Sequence, residues 1–279
     1  MTTTLRPAGP EERTAAGTRS RAYDICVNAR AVGTVRLSTG EQHGPRTGWI
    51  GQLAVDPAER RRGRATVALL AAEEVLRDWG CDRVESAVPA GSAGALSLAF
   101  ALGHREGSRG MVKELAHDDE PSLPPGSEGR PMTEADYTAW RERDSVRQVE
   151  IQAERGLPAR EAQILADRAH STLLPGGPET PGMVMRVLTR DGTDVGTVWI
   201  RVDGAPRPGV EGWVYAVEVE EALRGRGHGR ALMLLAEVEA RTAGVRLLGL
   251  NVYTDNAPAL HLYESLGYRP LDHQLYKRL

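Results

Sequence analysis

The sequence predicts an α/β protein built from two tandem domains of the same fold. Three observations support this prediction. The chain repeats itself at a fixed spacing, each copy contains β-branched segments bounded by turn residues, and each copy has a glycine- and arginine-rich loop before an amphipathic helix. With 279 residues, the chain is long enough for two domains that each have a hydrophobic core.

The composition is that of a globular protein without a strong charge bias. The formal net charge is -3, so composition alone predicts no attraction to nucleic acid or to an anionic membrane. The two cysteines, Cys26 and Cys81, are too few for a disulfide framework and lack the spacing of metal ligands. No segment has the pattern of a signal peptide or the length of a membrane span. We therefore expect a cytoplasmic protein that holds no metal.

The duplication appears when the chain is shifted by 164 residues. Residues 47–115 then align with 211–279 without a gap, and about 22 of these 69 positions are identical. The only two lysines of the chain, Lys113 and Lys277, fall on each other in this alignment. Residues 117–130 are rich in Pro, Gly and acidic residues and predict a linker. The predicted domains are therefore residues 1–116 and 131–279.

Each copy contains the same series of predicted elements. Two strands come first, RAVGTVRLS and GWIGQLAV in the first copy and DVGTVWIRV and GWVYAVEV in the second. The glycine loop follows and leads into a helix with apolar residues at helical spacing. In the second copy a strand at 246–253, a short helix opening near Asn256 and the pair Gly267–Tyr268 complete the series. Two further helices, at roughly 133–155 and 158–172, are predicted for the second copy, where the first has only a short stretch around residues 9–20.

The glycine loops have the chemistry of a phosphate site. A helix N-terminus presents unpaired N–H groups and the positive end of the helix dipole. Glycine permits a close approach of the backbone to a ligand, and arginine adds charge-assisted hydrogen bonds to phosphate oxygens. A single loop of this composition also fits an ordinary surface loop, but the same order of strand, loop and helix in both copies favours a pyrophosphate site.

The residues of the loop resemble a known family signature. Arg224, Gly227 and Gly229 fit the Arg/Gln-x-x-Gly-x-Gly/Ala pattern of the GCN5-related N-acetyltransferases (GNAT), and RRRGRA at 60–65 fits it in the first copy. The run LNVYTDNAPALHLYESLGY at 250–268 is similar to the strand and helix that follow in that family. The resemblance covers nearly the whole chain. It implies a mixed sheet in each copy, splayed between its fourth and fifth strands, with the pantetheine of acetyl-CoA in the gap.

The resemblance also implies which residues bind acetyl-CoA. The backbone of Val217 and Val219 is expected to hold the pantetheine amides. The expected pyrophosphate site is Arg224, Gly225, Arg226, Gly227, His228, Gly229 and Arg230. Asn256 either contacts the cofactor or caps the following helix, because asparagine is a favoured N-cap residue.

Acetyl transfer to an amine requires a base, a donor for the oxyanion and an acid for the thiolate. The resemblance places Tyr263 as the acid, although a packed aromatic residue is the alternative. Asn251 occupies a position where some relatives have an acidic base, and an asparagine cannot accept that proton. The base therefore stays open among Glu218, Glu211 and an ordered water, while a strand N–H near Val217 would serve the oxyanion.

The first copy lacks the polar residues of this site. Its aligned positions hold Ala87, Ser92 and Ala99. Its front helices, which in the family form much of the acceptor pocket, are also missing. We therefore expect the first copy to be non-catalytic and the second to be the enzyme.

Three functional interpretations follow. The favoured one is transfer of an acetyl group from acetyl-CoA to a primary amine of a small molecule or a protein, by a monomeric chain without membrane partners. The second keeps the fold but uses an aminoacyl-tRNA or carrier-bound acyl donor, which is the only case in which nucleic acid would be a partner. The third is a non-catalytic acyl-CoA-binding module. Six acidic residues of the predicted helix pair indicate either a cationic acceptor or a solvated face: Glu134, Asp136, Glu142, Asp144, Glu150 and Glu154.

Overall fold

A computed structural model describes residues 2–14, 17–40, 46–116, 122–154 and 158–279. The chain forms two compact units. Unit 1 consists of Met1–Arg109 together with Asp272–Leu279, and unit 2 consists of Gly110–Leu271.

The elements of the first copy alternate as expected for an α/β fold. They are β1 (Thr3–Pro7), β2 (Glu12–Arg13), β3 (Arg19–Val27), β4 (Arg30–Thr39), β5 (Thr47–Val55), α1 (Arg64–Asp78), β6 (Arg83–Pro89), α2 (Ala93–Ala101) and β7 (Arg105–Glu114). Between β1 and β3, the described residues contain the two-residue strand β2 and no helix.

The second copy repeats this series and adds the two predicted front helices. Its elements are β8 (Ser127–Pro131), α3 (Glu134–Glu154), α4 (Ala159–Leu173), β9 (Met183–Arg190), β10 (Thr193–Arg201), β11 (Gly212–Val219), α5 (His228–Thr242), β12 (Leu247–Tyr253), α6 (Ala257–Ser265) and β13 (Arg269–Arg278). The predicted linker overlaps β8 at residues 127–130, and its residues 117–121 lie outside the described residues.

The two copies exchange their last strands. With β13 counted from Asp272 and β7 from Gly110, the strand order is β1-β3-β4-β5-β6-β13 in unit 1 and β8-β9-β10-β11-β12-β7 in unit 2. In unit 1, β13 pairs antiparallel with β6, from Asp272 opposite Pro89 to Arg278 opposite Arg83. The predicted boundaries therefore follow the copies of the duplication, whereas the compact units do not. A self-alignment shows which segments are alike, but the sheet edge that a strand joins depends on long-range pairing.

The repeated VGTV segments have a steric cause. A Cβ atom on Gly196 in β10 would lie 2.2 Å from the carbonyl oxygen of Glu218, and one on Gly33 in β4 would lie 2.3 Å from that of Ala54. Each glycine therefore lets two strands approach closely beside a register shift of the sheet. In unit 2 the helix α5 covers this region and contributes Leu232, among others, to a buried core.

Candidate active site

A gap opens between the two central parallel strands of unit 2. The strands β11 and β12 pair only at their starts, from Gly212 opposite Leu248 to Val214 opposite Leu250. Beyond these residues, 215–219 of β11 have no partner on β12. Unit 1 has the same splay, because β5 and β6 pair only from Thr47 to Trp49.

The backbone of β11 lines one side of this gap. The N–H of Glu220, just after the strand, donates to the carbonyl of Val195 at 3.1 Å on the opposite side. Peptide groups alternate in direction along a strand, so those of Val217 and Val219 face the gap. They are thus available to an extended ligand that adds itself to the strand edge.

The glycine loop lies directly after β11 and ends at the first residue of α5. Gly225 and Gly227 have φ of +75° and +84°, and Gly227 is the N-cap of α5. A Cβ atom on either glycine would meet nothing within 4 Å, so the backbone conformation, and not crowding, requires glycine there. Gly229 differs, because its Cβ would lie 3.3 Å from Leu262 of α6. The first backbone bond of α5 runs from Ala231 N–H to the Gly227 carbonyl, so the amides of residues 228–230 precede the helical ladder.

The arginines of the loop have different environments. The Nε atom of Arg224 donates to the carbonyl of Val219 at 3.4 Å, which holds the loop against the end of β11. Arg230 donates to Ser265 Oγ in α6. Arg226 is exposed, and His228 is half-buried at the first position of α5. Arg224 and Arg230 are exposed as well, but their guanidinium groups already donate to Val219 and Ser265.

Asn256 and Tyr263 belong to α6, which follows the gap. Asn256 is the N-cap of this helix, and its side-chain oxygen accepts a hydrogen bond from the N–H of Ala259 at 3.2 Å. Tyr263 is partly buried and packs against the core beneath α5. Burial raises the pKa of Tyr263 to about 12, so its hydroxyl keeps its proton at neutral pH.

Glu218 projects from β11 toward the face of the sheet covered by α3. The neighbouring Val217 and Val219 pack against the core on the α5 side, and side chains alternate along a strand. An oxygen of Glu218 lies 2.7 Å from a guanidinium nitrogen of Arg147 in α3. Burial nevertheless raises the pKa of Glu218, because the loss of water outweighs the charge of Arg147.

The buried pair of Asp144 and His170 holds Arg147 in place. Asp144 pairs with Arg147 and, through its other oxygen, with Nε2 of His170 in α4 at 2.7 Å. Burial alone would raise the pKa of Asp144, but the hydrogen bond of His170 and the charge of Arg147 keep it lowered. Asp144 is only 2% exposed. The interpretation of Asp144 as part of a solvated acidic face is therefore wrong, because its partner His170 comes from another helix.

Aromatic rings pack beside the pair formed by Asp144 and His170. Trp140 of α3 contacts Tyr137 at 5.9 Å, His170 at 5.8 Å and Trp199 at 5.5 Å between ring centroids. Trp199 stacks on Tyr215 at 4.5 Å, and Tyr215 lies at a register shift of β11. These rings reduce the access of water to this face. No local pattern in the sequence distinguishes Arg147, His170 or Trp140, because their contacts join residues of different elements.

Asn251 and Glu211, which the sequence also placed near this chemistry, do not share the enclosure of Glu218. Asn251 is exposed on β12, at the open part of the gap. Glu211 precedes β11 at its paired end and accepts hydrogen bonds from the backbone and side chain of Arg246, which lower its pKa. Among the described residues, no group of three or more His, Cys, Asp or Glu could hold a metal.

The corresponding loop of unit 1 contains its own carboxylate. Glu59 is 9% exposed, and its oxygens lie 2.6 Å from Arg30, 3.5 Å from Arg64 and 3.8 Å from Arg62. The residue aligned with Glu59 in unit 2 is Leu223, which packs against the core. Two arginines of the first loop are thus directed to an internal acid.

The backbone of the first loop is similar to that of the second. Gly63 caps α1 with φ +75°, and Arg60 donates to the carbonyl of Val55 at 2.8 Å. The counterpart of Gly225 is Arg61, a non-glycine residue at φ +58°. The loop shape has therefore been kept at a cost in backbone strain, while its surface has changed.

Comparison with known proteins assigns the family. The model described as "Acetyltransferase (GNAT) family" matches residues 4–103 and 139–268. The chain belongs to the GNAT family. A mycothiol acetyltransferase of Thermomonospora curvata is 31% identical to this GNAT protein over 224 residues, which are 79% of this chain and 70% of that protein. The uncharacterized N-acetyltransferase YycN of Bacillus subtilis is 32% identical over 120 residues, covering 43% of this chain and 76% of YycN.

Solved structures share the fold of this GNAT protein. A GCN5-related N-acetyltransferase from Sphaerobacter thermophilus has a TM-score of 0.59 at 19% identity, covering 92% of this chain and 80% of that chain. A tandem GNAT protein from the clavulanic acid biosynthesis pathway has a TM-score of 0.53 at 22% identity, covering 94% and 83%. The chain is thus an acyltransferase of tandem GNAT architecture, as the sequence predicted. None of the helices in the described ranges is both long and apolar enough to span a membrane.

Proposed function

We propose that unit 2 transfers an acetyl group from acetyl-CoA to a primary amine. The observation that carries the proposal is the gap beyond Val214 and Leu250, which has a glycine loop at its end and the enclosed carboxylate of Glu218 beside it. Membership of the GNAT family supports acetyl-CoA as the donor.

The residues of unit 2 fit this donor. The gap-facing peptide groups of Val217 and Val219 match the amides of a pantetheine chain. The amides of residues 228–230 and the exposed guanidinium of Arg226 match a pyrophosphate. When bound, acetyl-CoA supplies the activated thioester carbonyl. Asn256 caps α6 through its oxygen, and its contact with the cofactor stays a prediction.

Glu218 is the base in this proposal. The acceptor nitrogen forms a bond with the thioester carbonyl carbon and loses one proton to the Glu218 carboxylate. A raised pKa makes this carboxylate a better proton acceptor than an exposed glutamate. Asn251 would contribute hydrogen bonding at the open part of the gap, but no proton transfer.

Val217 and Tyr263 stabilise the negative charge that develops on the carbonyl oxygen and on the departing sulfur. The N–H of Val217 donates to the carbonyl oxygen as it becomes negative. The carbon–sulfur bond then breaks, and Tyr263 gives its proton to the departing sulfur. A thiol has a pKa of about 8.5 in water, but the enclosure that raises the pKa of Tyr263 also raises the proton affinity of the sulfur. Glu218 then releases its proton to water and Tyr263 takes one up from water, so that both residues regain their starting protonation.

Catalysis is assigned to unit 2 alone. In unit 1 the aligned residues Ala87 and Ala99 cannot exchange a proton, and Glu59 engages Arg62 and Arg64. Unit 1 also has no counterpart of α3 and α4 among its described residues, so nothing corresponds to the enclosed face around Glu218.

The first acceptor to test is that of the mycothiol acetyltransferases. The mycothiol acetyltransferase of Thermomonospora curvata aligns with 79% of this chain, which is more than either copy contains, whereas YycN aligns with 43%. Members from Thermomonospora curvata and Cellulomonas flavigena are both 31% identical to this chain. We infer that an acceptor of the same kind enters the face formed by α3, α4 and Glu218.

The decisive experiment is an assay for thiol released from acetyl-CoA. The purified chain is incubated with acetyl-CoA and a panel containing the acceptor of the mycothiol acetyltransferases, simple primary amines and amine-bearing peptides. The proposal expects thiol release and an acetylated amine with at least one acceptor. Tight acetyl-CoA binding without transfer would instead favour a binding module, and transfer only from aminoacyl-tRNA would favour the other donor class.

A further inference from the structure

The two lysines of the chain have equivalent partners. Lys113 of β7 donates from Nζ to both carboxylate oxygens of Glu237 in α5, each at 2.8 Å. Lys277 of β13 donates to Glu73 in α1 at 2.7 Å. Glu237 and Glu73 are only 1% and 2% exposed. Because the last strands are exchanged, each lysine neutralises a buried acid that belongs to the other copy of the duplication.

Each pair of lysine and glutamate has a third residue beside it, which completes a buried cluster, and this residue differs between the units. In unit 1, Nε2 of His104 lies 3.1 Å from Glu73. In unit 2 the aligned residue is Tyr268, whose ring centroid lies 5.9 Å from the Lys113 ammonium. Burial, and then the charge of Glu237, raise the pKa of Tyr268 well above its usual value. The cluster of unit 2 therefore ends in a neutral aromatic ring.

This ring packs against the proposed acid. The centroids of Tyr268 and Tyr263 are 6.0 Å apart, and their planes are tilted by 58°. In unit 1 the residue aligned with Tyr263 is Ala99, so the matching cluster has no such tyrosine to support. Only in unit 2 does the buried ion pair contact, through the ring of Tyr268, a side chain of the candidate site.

We propose that Lys113, which the first copy supplies, is a positioning residue for Tyr263 in unit 2. This inference rests on the proposed function. Without the ammonium, the buried carboxylate of Glu237 loses both hydrogen bonds from Lys113, so it must admit water or draw the Tyr268 hydroxyl toward itself. Each response displaces the ring that supports Tyr263. The first copy thus contributes a residue to the reaction of unit 2.

The kinetic test compares two matched variants of the full chain. Lys113→Met should lower kcat on the order of 10-fold, because small misplacements of a catalytic group are costly. The KM for acetyl-CoA should change little, since the glycine loop is untouched. Lys277→Met removes the same interaction from unit 1 and should leave kcat unchanged. Lys113→Arg keeps the charge and should recover part of the activity.

A double-mutant cycle separates positioning from general damage. In the Tyr263→Phe background, Lys113→Met should cause no further loss of kcat, because the hydroxyl that it positions is already absent. Additive losses would overturn the proposal. Equal losses of kcat in Lys113→Met and Lys277→Met would overturn it as well. If Lys113→Met does not fold, Lys113→Arg provides the test: its partial loss of kcat should disappear in the Tyr263→Phe background, and a loss that persists there would overturn the proposal.

A second readout does not depend on turnover. Tetranitromethane nitrates accessible tyrosines, and mass spectrometry locates the modified residue. Lys113→Met should increase nitration of Tyr263 and Tyr268, while the buried Tyr23 and Tyr137 stay protected; Lys277→Met should not. Unchanged nitration of Tyr263 would contradict the proposal. Absence of acetyl transfer in the wild type, with the nitration result as expected, would instead overturn the proposed function alone.

Discussion

Arg147 of α3 lies 2.7 Å from Glu218 of β11, and the same guanidinium also pairs with Asp144. The charge of Arg147 favours the ionised form of Glu218, while burial favours the neutral form and has the larger effect. The protonation of Glu218 is therefore sensitive to the loss of this one cation.

Substitution of Arg147 should change the pH dependence of the reaction. Glu218 must be ionised to accept a proton, so kcat/KM should fall as the pH decreases through its pKa. Arg147→Gln removes the cation and raises this pKa further, which moves the acidic limb of the profile to higher pH. Arg141→Gln, on the exposed side of α3, is the charge-matched control and should leave the limb in place. An unmoved limb in Arg147→Gln would mean that Glu218 does not titrate in the reaction. In that case Glu218→Gln should also retain the limb.

The hydroxyl of Tyr263 should be needed for turnover and not for cofactor binding. Tyr263→Phe keeps the ring that packs against Tyr268 and removes only the proton donor. We expect kcat to fall roughly 10²-fold, with little change in the dissociation constant of acetyl-CoA. Single-turnover kinetics at saturating acetyl-CoA measure the chemical step directly. A wild-type rate in that experiment would remove Tyr263 from the mechanism.

The two glycine loops should respond differently to the same change. Gly227→Glu places a bulky acid at φ +84°, next to the expected pyrophosphate, and should abolish acetyl transfer. Gly63→Glu makes the equivalent change at φ +75° in unit 1 and should leave transfer largely intact. Calorimetry with acetyl-CoA and circular dichroism establish binding and folding for each variant. Loss of turnover in a folded Gly63→Glu that still binds acetyl-CoA in unit 2 would place the active site in unit 1.

Local signals in the sequence predicted most elements of the fold. The strand β11 has the bounds of the segment GWVYAVEV, and α6 begins directly after Asn256. Turn residues, hydrophobic periods and capping residues act over a few positions, which explains this success. The alignment could not show that Lys113 and Lys277 each lie in the unit formed mainly by the other copy. A self-alignment matches equivalent positions and carries no information about which copy each one contacts.

The site was less accessible to sequence reasoning because its contacts are long-range. Asp144 lies among acidic residues of α3 and has the pattern of a solvated face, but His170 of α4 meets it 26 positions later. Glu218 was one of several candidates until its burial beside Arg147 distinguished it from Glu211. In unit 1, the composition of the loop predicts a phosphate site, but Arg62 and Arg64 are directed to the carboxylate of Glu59.

Glu59 and Leu223 occupy equivalent positions before the two loops, and exchanging their chemistry should change the affinity of each unit for acetyl-CoA. Glu59→Leu removes the acid that engages Arg30, Arg62 and Arg64. The exposed guanidinium groups of Arg30 and Arg62 are then released for a pyrophosphate, while Arg64 stays buried beside Thr3. Calorimetry should therefore show tighter binding of acetyl-CoA to unit 1, without added turnover.

The reciprocal change tests the same idea at the catalytic unit. Leu223→Glu places a carboxylate beside the loop of unit 2, where it should draw Arg226 away from the cofactor and raise the KM for acetyl-CoA on the order of 10-fold with kcat little changed. Leu223→Gln is the uncharged control, which separates the effect of the charge from the loss of the leucine packing. If Glu59→Leu binds acetyl-CoA no better than the wild type, and Leu223→Glu behaves as Leu223→Gln does, the carboxylate of Glu59 is not what distinguishes the two loops. The positive φ of Arg61, in place of Gly225, would then be the difference to test next, by Arg61→Gly.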